Sequence, residues 1–208
     1  MFILGLTGSI AMGKTWGARC FRLQGVPVHD ADACVHQLMG PGGAATPRVA
    51  AAFSDVLDSK GGIDRQKLAQ RVLGNDGALN RLEAMLHPLV RLDQRRFLRQ
   101  CQARGEKLAV LDIPLLYETG ARARLDAVVV MSAPPFIQHQ RALRRAGMNE
   151  QKFQAIIARQ TPDEVKRRLA EFVVTTGSTR GQSLRQIANI VKVCRSLRGQ
   201  TWGPNWVR

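Results

Sequence analysis

The chain carries, close to its N-terminus, the stretch Leu4-Gly5-Leu6-Thr7-Gly8-Ser9-Ile10-Ala11-Met12-Gly13-Lys14-Thr15. The apolar run at residues 2–6 predicts a buried strand, and a helical pattern begins after Gly13. Gly8 to Thr15 matches G-x-x-x-x-G-K-[ST] without a mismatch. Glycines let the N–H groups of such a loop turn inward onto an anion, and the next helix directs its positive end at the same point. The stretch therefore predicts a strand, a phosphate-binding loop (P-loop) and a helix.

Two side chains of the P-loop have specific chemistry. Lys14 can reach the terminal phosphates of a nucleotide, and the Thr15 hydroxyl can bind Mg²⁺. A chance match in a glycine-rich turn is the alternative, and the predicted strand and helix on either side argue against it. We expect the phosphates of a nucleotide and Mg²⁺ to bind here. The predicted nucleotide-binding residues of this segment are Gly8, Ser9, Ile10, Ala11, Met12, Gly13, Lys14, Thr15 and Trp16.

The composition fits one globular domain. The 208 residues are enough for a single sizeable core, and no apolar run approaches the roughly 20 residues of a membrane span. The first strand begins at the N-terminus without a targeting segment. The four cysteines lack C-x-x-C spacing, which predicts reduced thiols. We expect a cytoplasmic protein that does not associate with membranes.

The net charge of +15 is unusual, and most of the 31 basic residues are arginine. Guanidinium groups bind phosphate oxygens in a fork, so a polyanionic substrate such as a nucleotide pair would use several of them. A nucleic acid would need a continuous basic stripe. General arginine usage on solvated helix faces is the third interpretation, and the charge alone does not choose among the three.

Two carboxylates follow the second predicted strand, at residues 26–28. Asp30 and Asp32 thus stand where open α/β sheets place ligand-binding groups. Carboxylates close to a P-loop favour metal binding or general-base work, whereas either one could instead cap the helix that runs to Met39. We predict that at least one of the two is catalytic.

A helical block separates the second and third strands. A flexible joint at residues 40–47 is followed by predicted helices, and His87-Pro88 predicts a break between the last two. Such a block in a P-loop sheet is a typical place for a substrate-binding insertion. The predicted helices cover 47–53, 66–73, 77–86 and 89–104.

Residues 108–116 give the strongest signal for a buried strand. Asp112 ends the apolar part, as the acidic residue of a Walker-B-like strand does, and Pro114 predicts that the chain leaves the sheet there. The alternation of strands and helices predicts an α/β fold with a parallel sheet flanked by helices. The remaining predicted elements are strands at 127–131 and 172–175 and a closing helix at 184–197.

From Phe136 the chain is helical and basic. Arg141 and Arg145 share a helix face at i,i+4, where like charges repel unless an anion lies between them. A second helix is predicted at 149–159, and Thr161-Pro162-Asp163-Glu164 has the form of a capping box. We expect these helices to form a lid that closes over phosphates, and a solvated amphipathic hairpin is the alternative.

In this order, the motifs resemble those of dephospho-CoA kinase, the family that catalyses the last step of coenzyme A synthesis. The resemblance covers most of the chain. The stretch Asp112-Ile113-Pro114-Leu115-Leu116-Tyr117-Glu118 and the Asp30/Asp32 pair are specific to that family, whereas the P-loop is not. The other matching residues are Ile63-Asp64-Arg65 with Leu68, Leu86-His87-Pro88, Gln138 with Arg141 and Arg145, and Arg159-Gln160 with Lys166.

The resemblance implies a P-loop kinase core at about 1–36, 106–134 and 170–198, a helical CoA-binding insertion at about 37–105 and a lid at about 135–168. It implies that Asp32 is the base that acts on the ribose 3′-hydroxyl of dephospho-CoA, and that Lys14 and Arg141 are catalytic. Arg141 and Arg145 are expected on the ATP phosphates. The implied acceptor-site residues are Asp32, Arg65, His87, Pro88, Leu115, Leu116 and Glu118.

Several positions depart from the family pattern. Ser9, Ala11 and Met12 stand where the family usually has Gly, Gly and Ser, and the backbone cradle is expected to survive. Trp16 replaces a small hydroxyl residue beside the expected nucleotide. Thr175-Thr176 stands in place of the family's Asp-Asn, so the Asn expected near the adenine is missing.

Two other functions are compatible with a P-loop: a nucleoside or nucleotide kinase with a different acceptor, and a basic protein that binds nucleic acid with ATP as a switch. The stretch at residues 112–118 favours dephospho-CoA over other acceptors, and we do not expect nucleic-acid binding. A monomer or a weak homo-oligomer is expected. The tail, with Trp202, Trp206, Val207 and Arg208, either packs back on the protein or contacts a partner.

Overall fold

The structure is a computed structural model, and it describes residues 1–203 and Trp206. It contains two compact units. One comprises Met1–His29 with the described part of Leu98–Trp206, and the other comprises Asp30–Phe97.

The five strands are separated by helices, with four consecutive helices between the second and third strands and three between the fourth and fifth. A short 3₁₀ helix, Ala121–Arg124, lies between the third and fourth strands. The elements are β1 (Phe2–Thr7), α1 (Lys14–Leu23), β2 (Val28–Asp30), α2 (Ala31–Leu38), α3 (Thr46–Ala52), α4 (Arg65–Val72), α5 (Asp76–Ala103), β3 (Leu108–Asp112), β4 (Ala127–Ser132), α6 (Pro135–Leu143), α7 (Glu150–Ala158), α8 (Asp163–Leu169), β5 (Phe172–Thr175) and α9 (Arg180–Ser196).

The strands form one sheet in the order β2-β3-β1-β4-β5. Strand β1 pairs in parallel with β3 and with β4, and β4 pairs in parallel with β5. Every residue of β1, β3 and β4 is buried, as expected for parallel strands that are covered on both faces. The predicted α/β fold is confirmed. Strand β2 begins two residues later than predicted, so Asp30 is its last residue.

The core of the first unit lies where helices α1 and α9 pack on the sheet. Leu4 and Leu6 of β1 meet Phe21 of α1 and Ile187 of α9, and all four side chains are fully buried. Burying large apolar side chains of this kind contributes about 1.5–3 kcal/mol each. This packing fixes the start of α1, and therefore the P-loop, against the end of β1.

The second unit is helical and has its own apolar cluster, with Val49, Phe53, Leu68 and Leu86 among its members. Two of its helices begin at capping aspartates. Asp30 accepts a hydrogen bond from Ala33 N, and Asp64 accepts bonds from the backbone N–H groups of residues 66 and 67. Such caps satisfy N–H groups that the helix itself cannot.

The predicted break at His87-Pro88 is wrong, because α5 continues through Pro88. A proline deprives the carbonyl four residues earlier of its helical partner. Here Pro88 and Ala84 both lie on the exposed face, where water can replace that partner. Met85 and Leu86 on the opposite face pack into the apolar cluster of the unit, so tertiary packing outweighs the local penalty.

The predicted capping box at residues 161–164 is also wrong. Helix α8 begins at Asp163 behind Pro162, which has no capping side chain. Thr161 instead directs its N–H to Glu118 Oε1 at 2.7 Å, and Asp163 accepts a hydrogen bond from Ser132 Oγ. Contacts with distant residues have replaced the local cap.

The tryptophans of the tail pack back on the first unit. Trp206 is 4% exposed and donates from Nε1 to Arg124 O, while Trp202 Nε1 donates to Gln102 Oε1. The two rings meet edge to face with centroids 5.8 Å apart. Val207 and Arg208, which the sequence grouped with them, lie outside the described residues.

None of the helices in the described part of the chain has the length and apolar character that a membrane span requires. Cys20, Cys34, Cys101 and Cys194 are free and buried. Burial raises the thiol pKa of each of them, so these thiols stay in their protonated, unreactive form.

Candidate active site

The P-loop connects the end of β1 to the start of α1. Gly8 lies against β4 so closely that a Cβ there would come within 2.7 Å of Met131 O. Ala11 and Gly13 both have positive φ angles, 62° and 89°, and alternation of this kind turns backbone N–H groups toward a common point. The N–H groups of the first turn of α1 lack intrahelical acceptors. The loop is thus shaped to bind an anion.

Ala11 occupies the left-handed region although it is not glycine. This conformation costs a non-glycine residue roughly 1–2 kcal/mol. The side chain is 6% exposed and packs among Ala142 and Phe153, so neighbouring contacts help to offset the strain. The departure from the family's glycine at this position therefore leaves the cradle intact.

Lys14 forms an ion pair with Asp112 at the end of β3. The Nζ and Oδ1 atoms are 2.7 Å apart, and the two side chains are 18% and 3% exposed. Because β3 pairs with β1, the ladder places Asp112 beside Leu6, just before the loop begins. The aspartate thus orients the lysine at the mouth of the anion cradle.

Thr15 follows Lys14 and is exposed. Its hydroxyl and the Asp112 carboxylate are hard oxygen donors, the type that Mg²⁺ prefers in nucleotide sites. This donor set fits a magnesium ion. Both donors belong to the P-loop or to the strand beside it.

Thr176 connects the P-loop to the arginine-bearing helix α6. Its hydroxyl donates to Met12 O at 2.9 Å and accepts a hydrogen bond from Arg141 Nη1 at 3.1 Å. Arg141 Nη2 also donates to Thr176 O at 2.6 Å. Arg141 is therefore held at the edge of the loop, whereas Arg145 is exposed.

The N–H and the hydroxyl of Thr175 also have hydrogen-bond partners. Its N–H donates to Gln186 Oε1, and Gln186 Nε2 donates to its hydroxyl. The two threonines that replace the family's Asp-Asn thus hold the loop before α9. Neither carries the amide side chain that the family pattern provides.

Trp16 lies in the first turn of α1, and two cations lie near its ring. The guanidinium carbons of Arg180 and Arg19 are 5.2 Å and 5.8 Å from the ring centroid, within cation–π distance. The indole Nε1 is buried and has no hydrogen-bond partner among the described residues. The sequence singled out Trp16, but it gave no signal for Arg180, which lies 164 positions later and is brought in by α9.

Ile10 of the P-loop makes three kinds of contact with α6, α7 and the residues that follow α7. Its carbonyl accepts a hydrogen bond from Gln138 Nε2 at 2.9 Å, and its N–H donates to Gln160 Oε1 at 3.0 Å. Its side chain packs on an apolar cluster that includes Phe153 and Ile157. The sequence marks Gln138 and Gln160 as matches to the family pattern, but it does not predict that both contact Ile10.

The segment after β3 forms a firmly held turn. Thr7 Oγ1 donates to Pro114 O at 3.0 Å, and Leu116 is fully buried, with its side chain next to Gly5 of β1. Leu115 is 36% exposed. Leu116 therefore supports the turn from inside, while Leu115 is accessible to a ligand.

Glu118, at the end of that turn, contacts α8 and the residue Thr161 that precedes it. Its Oε1 accepts from Thr161 N at 2.7 Å and lies 3.0 Å from Lys166 Nζ. Burial alone would raise the pKa of Glu118, but hydrogen bonds from its own and the Thr161 backbone, with the Lys166 charge, hold the pKa below its usual value. The carboxylate is thus stabilised in its charged form.

In the second unit, Asp32 and Arg65 line one open cavity of about 400 Å³. Asp32 lies in the first turn of α2 and Arg65 begins α4, and both are exposed. His87 and Pro88 lie in α5, where His87 is half-buried and Pro88 exposed. A cavity with a carboxylate and a guanidinium suits an anionic ligand that also carries hydroxyl groups.

These features define a class of protein. A P-loop at the end of β1, an aspartate at the end of the adjacent parallel strand and arginine-bearing helices packed on the loop are the features of a P-loop kinase.

Comparison with known proteins identifies the family within that class. Residues 2–181 match the family described as Dephospho-CoA kinase. The dephospho-CoA kinase of Mesorhizobium japonicum is 52% identical over 200 residues, 96% of this chain and 100% of that protein. The dephospho-CoA kinase of Rhodospirillum rubrum is 52% identical over 194 residues, 93% of this chain and 92% of that protein. The chain belongs to the dephospho-CoA kinase family.

A solved structure agrees with the fold. The crystal structure of TT1252 from Thermus thermophilus is similar with a TM-score of 0.78 and 30% sequence identity. The similarity covers 95% of this chain and 98% of that one.

Proposed function

We propose a role for individual residues of this chain in the reaction of its family, the ATP-dependent phosphorylation of dephospho-CoA. The P-loop binds the triphosphate of ATP, and Asp32 takes the proton from the ribose 3′-hydroxyl of dephospho-CoA. The cavity shared by Asp32 and Arg65 is the observation that carries the acceptor half of this proposal.

On the donor side, we assign each group of the P-loop a role in binding the phosphates of ATP. The inward-facing N–H groups hold the β-phosphate, and Lys14 moves from Asp112 toward the terminal phosphates to neutralise charge on the migrating phosphoryl group. Arg141, already held beside the loop by Thr176, binds the same phosphates from the lid, with Arg145 as an outer contact. Trp16, in the first turn of α1, and Arg180, which lies over its ring, are proposed to contact the nucleotide.

Magnesium is proposed at Thr15 and Asp112. When bound, the ion neutralises phosphate charge and orients the triphosphate for transfer.

On the acceptor side, the unit Asp30–Phe97 is proposed to bind dephospho-CoA. The Arg65 guanidinium binds phosphate oxygens of the substrate in a fork, which helps to hold the 3′-hydroxyl at Asp32. His87, Pro88 and Leu115 are proposed as further contacts. We assign Leu116 and Glu118 supporting roles in the turn after β3, because burial and the Lys166 contact occupy their side chains.

We also propose that the enzyme works in the cytoplasm as a monomer or a weak homo-oligomer. The four free, buried cysteines are compatible with a reducing compartment. Neither alternative function receives support from the family relationship.

The Asp32→Asn variant tests the base assignment. Asparagine keeps the size of the side chain but removes its charge and most of its basicity, so kcat on dephospho-CoA should fall by roughly 10²–10⁴-fold. ATP binding should be retained, since the P-loop makes those contacts. Asp30→Asn is the matched control, because Asp30 caps α2 and asparagine is about as good a cap.

The measurement is turnover of both variants, with thermal midpoints to show that they fold. ADP release with a panel of acceptors, nucleoside monophosphates among them, tests the acceptor itself. An Asp32→Asn enzyme that turns over near the wild-type rate would rule out Asp32 as the general base.

A further inference from the structure

The peptide groups of Ile10 are held from both sides by the lid. Gln138, on α6, donates from Nε2 to the Ile10 carbonyl at 2.9 Å. Gln160, which follows α7, accepts from the Ile10 N–H at 3.0 Å. A carbonyl can only accept and an N–H can only donate, so the backbone itself dictates which end of each amide faces Ile10.

The side chain of Ile10 provides a third connection. It packs, half-buried, against a cluster formed by P-loop and lid residues. Ala142 and Phe153 of this cluster are 0% and 3% exposed. The cluster consists of Ala11, Ala142 and Phe153, with Ile10, Met148 and Ile157 packed on it.

The segment that follows Gln160 is held by contacts with distant parts of the first unit. Thr161 N donates to Glu118, and Lys166 of α8, fully buried, pairs with the same carboxylate. Asp163 accepts a hydrogen bond from Ser132 Oγ at the end of β4. Gln160 therefore extends from a segment tied to the sheet, and α6 and α7 contact the P-loop at Ile10 and Ala11.

We propose that Ile10 is a positioning residue that docks the arginine-bearing helices on the P-loop, with Gln138 and Gln160 as its two partners. The proposal deepens the proposed function, on which it rests for the role of Arg141. Gln138 and Arg141 are three residues apart on α6 and share a face. The hydrogen bond from Gln138 to Ile10 therefore fixes α6 relative to the P-loop, and with it the position from which Arg141 contacts phosphate.

This docking predicts a particular kinetic signature. Arg141 acts on charge that develops during transfer, so a lid that sits loosely should lower kcat while leaving ATP binding by the P-loop nearly unchanged. A merely structural role for the glutamines would change stability without this separation of kcat from the KM for ATP.

Two substitutions of the same type distinguish the partners. Gln138→Glu replaces the donor with a carboxylate that faces the Ile10 carbonyl, so the contact should be lost. Gln160→Glu keeps an acceptor opposite the Ile10 N–H, so the contact should survive. Gln140→Glu is the matched control, because Gln140 is exposed on α6 and its replacement by glutamate introduces the same charge.

Hydrogen exchange without nucleotide reads out the docking directly. Amides of α6 and α7 should exchange about tenfold faster in Gln138→Glu, as expected for the loss of a hydrogen bond with repulsion in its place. They should exchange at the wild-type rate in Gln160→Glu and Gln140→Glu. Amides of β1 and β4 are the internal reference for intact folding. Because no substrate is present, this result does not depend on the identity of the acceptor.

Kinetics complete the test. Gln138→Glu and Ile10→Ala should lower kcat about tenfold with less than a twofold change in the KM for ATP, and Ile10→Val should restore most of the rate. Equal exchange rates in Gln138→Glu and Gln140→Glu would overturn the docking role. So would an Ile10→Ala enzyme that keeps the wild-type kcat.

Discussion

Lys166 Nζ lies 3.0 Å from Glu118 Oε1, and the lysine side chain is completely buried while that of the glutamate is 16% exposed. A buried ammonium group is costly unless a counter-charge is close. The pair joins α8 to the turn after β3, two segments that are 48 positions apart in the sequence. It fixes α8 to the turn after β3.

Substitution of Glu118 and substitution of Lys166 should therefore lower the free energy of unfolding by different amounts. Glu118→Ala leaves Lys166 buried and uncompensated, and we expect the free energy of unfolding to fall by about 3 kcal/mol. Lys166→Met should cost less, since Glu118 is nearer to solvent and keeps its bond from Thr161 N. Urea denaturation measures both values. A smaller loss in Glu118→Ala than in Lys166→Met would contradict this reading of the pair.

The same pair predicts a pH dependence. The pKa of Glu118 is lower in the folded protein than its usual value, so its contribution to stability is present above the unfolded-state pKa of about 4.3. That contribution is lost as the pH falls through the lower folded-state pKa. The stability difference between the wild type and Glu118→Gln, followed by denaturation from pH 6 to pH 3, should narrow below about pH 4. A difference that stays constant over this range would refute the assignment.

Lys14→Ala should remove most phosphoryl transfer, because no other side chain of the P-loop can bring a positive charge to the terminal phosphates. It also leaves the buried Asp112 without its ion-pair partner, so thermal midpoints must accompany the kinetics. Lys192→Ala, at an exposed position of α9, is the control and should leave turnover unchanged. Turnover of Lys14→Ala within a few-fold of the wild type would mean that the loop is not the donor site.

Arg141→Ala should lower the rate of phosphoryl transfer more than Arg144→Ala does. Arg141 is anchored beside the P-loop by its two hydrogen bonds to Thr176, whereas Arg144 is an exposed residue at the end of α6. Comparison of kcat for the two variants, at saturating ATP, checks this. Equal and mild effects would favour a lid that is only a solvated hairpin.

The strand, loop and helix that form the P-loop were largely predictable from the sequence. Residues 8–15 and Asp112 are short-range patterns, since a glycine-rich loop needs a strand before it and a helix after it to work. The burial of residues 108–112 follows from their apolar composition in the same way. Local pattern and tertiary structure agree at these positions, because the chemistry depends on neighbours in the chain.

Local pattern failed where distant residues compete with it. Pro88 should end a helix, yet packing of Met85 and Leu86 keeps α5 continuous. Thr161 should cap α8, yet its N–H goes to Glu118. In both cases a tertiary contact outweighs a local preference worth about 1–3 kcal/mol.

The sequence by itself determined the P-loop, the order of strands and helices and the family, because each depends on residues that are adjacent in the chain or on matches to relatives. Only the tertiary structure decided that Ile10 is held between Gln138 and Gln160, that Arg180 lies over Trp16 and that Lys166 is neutralised by Glu118. These contacts join residues far apart in the sequence. They form only when the sheet and its helices bring those residues within a few ångströms, and no spacing in the chain encodes that approach.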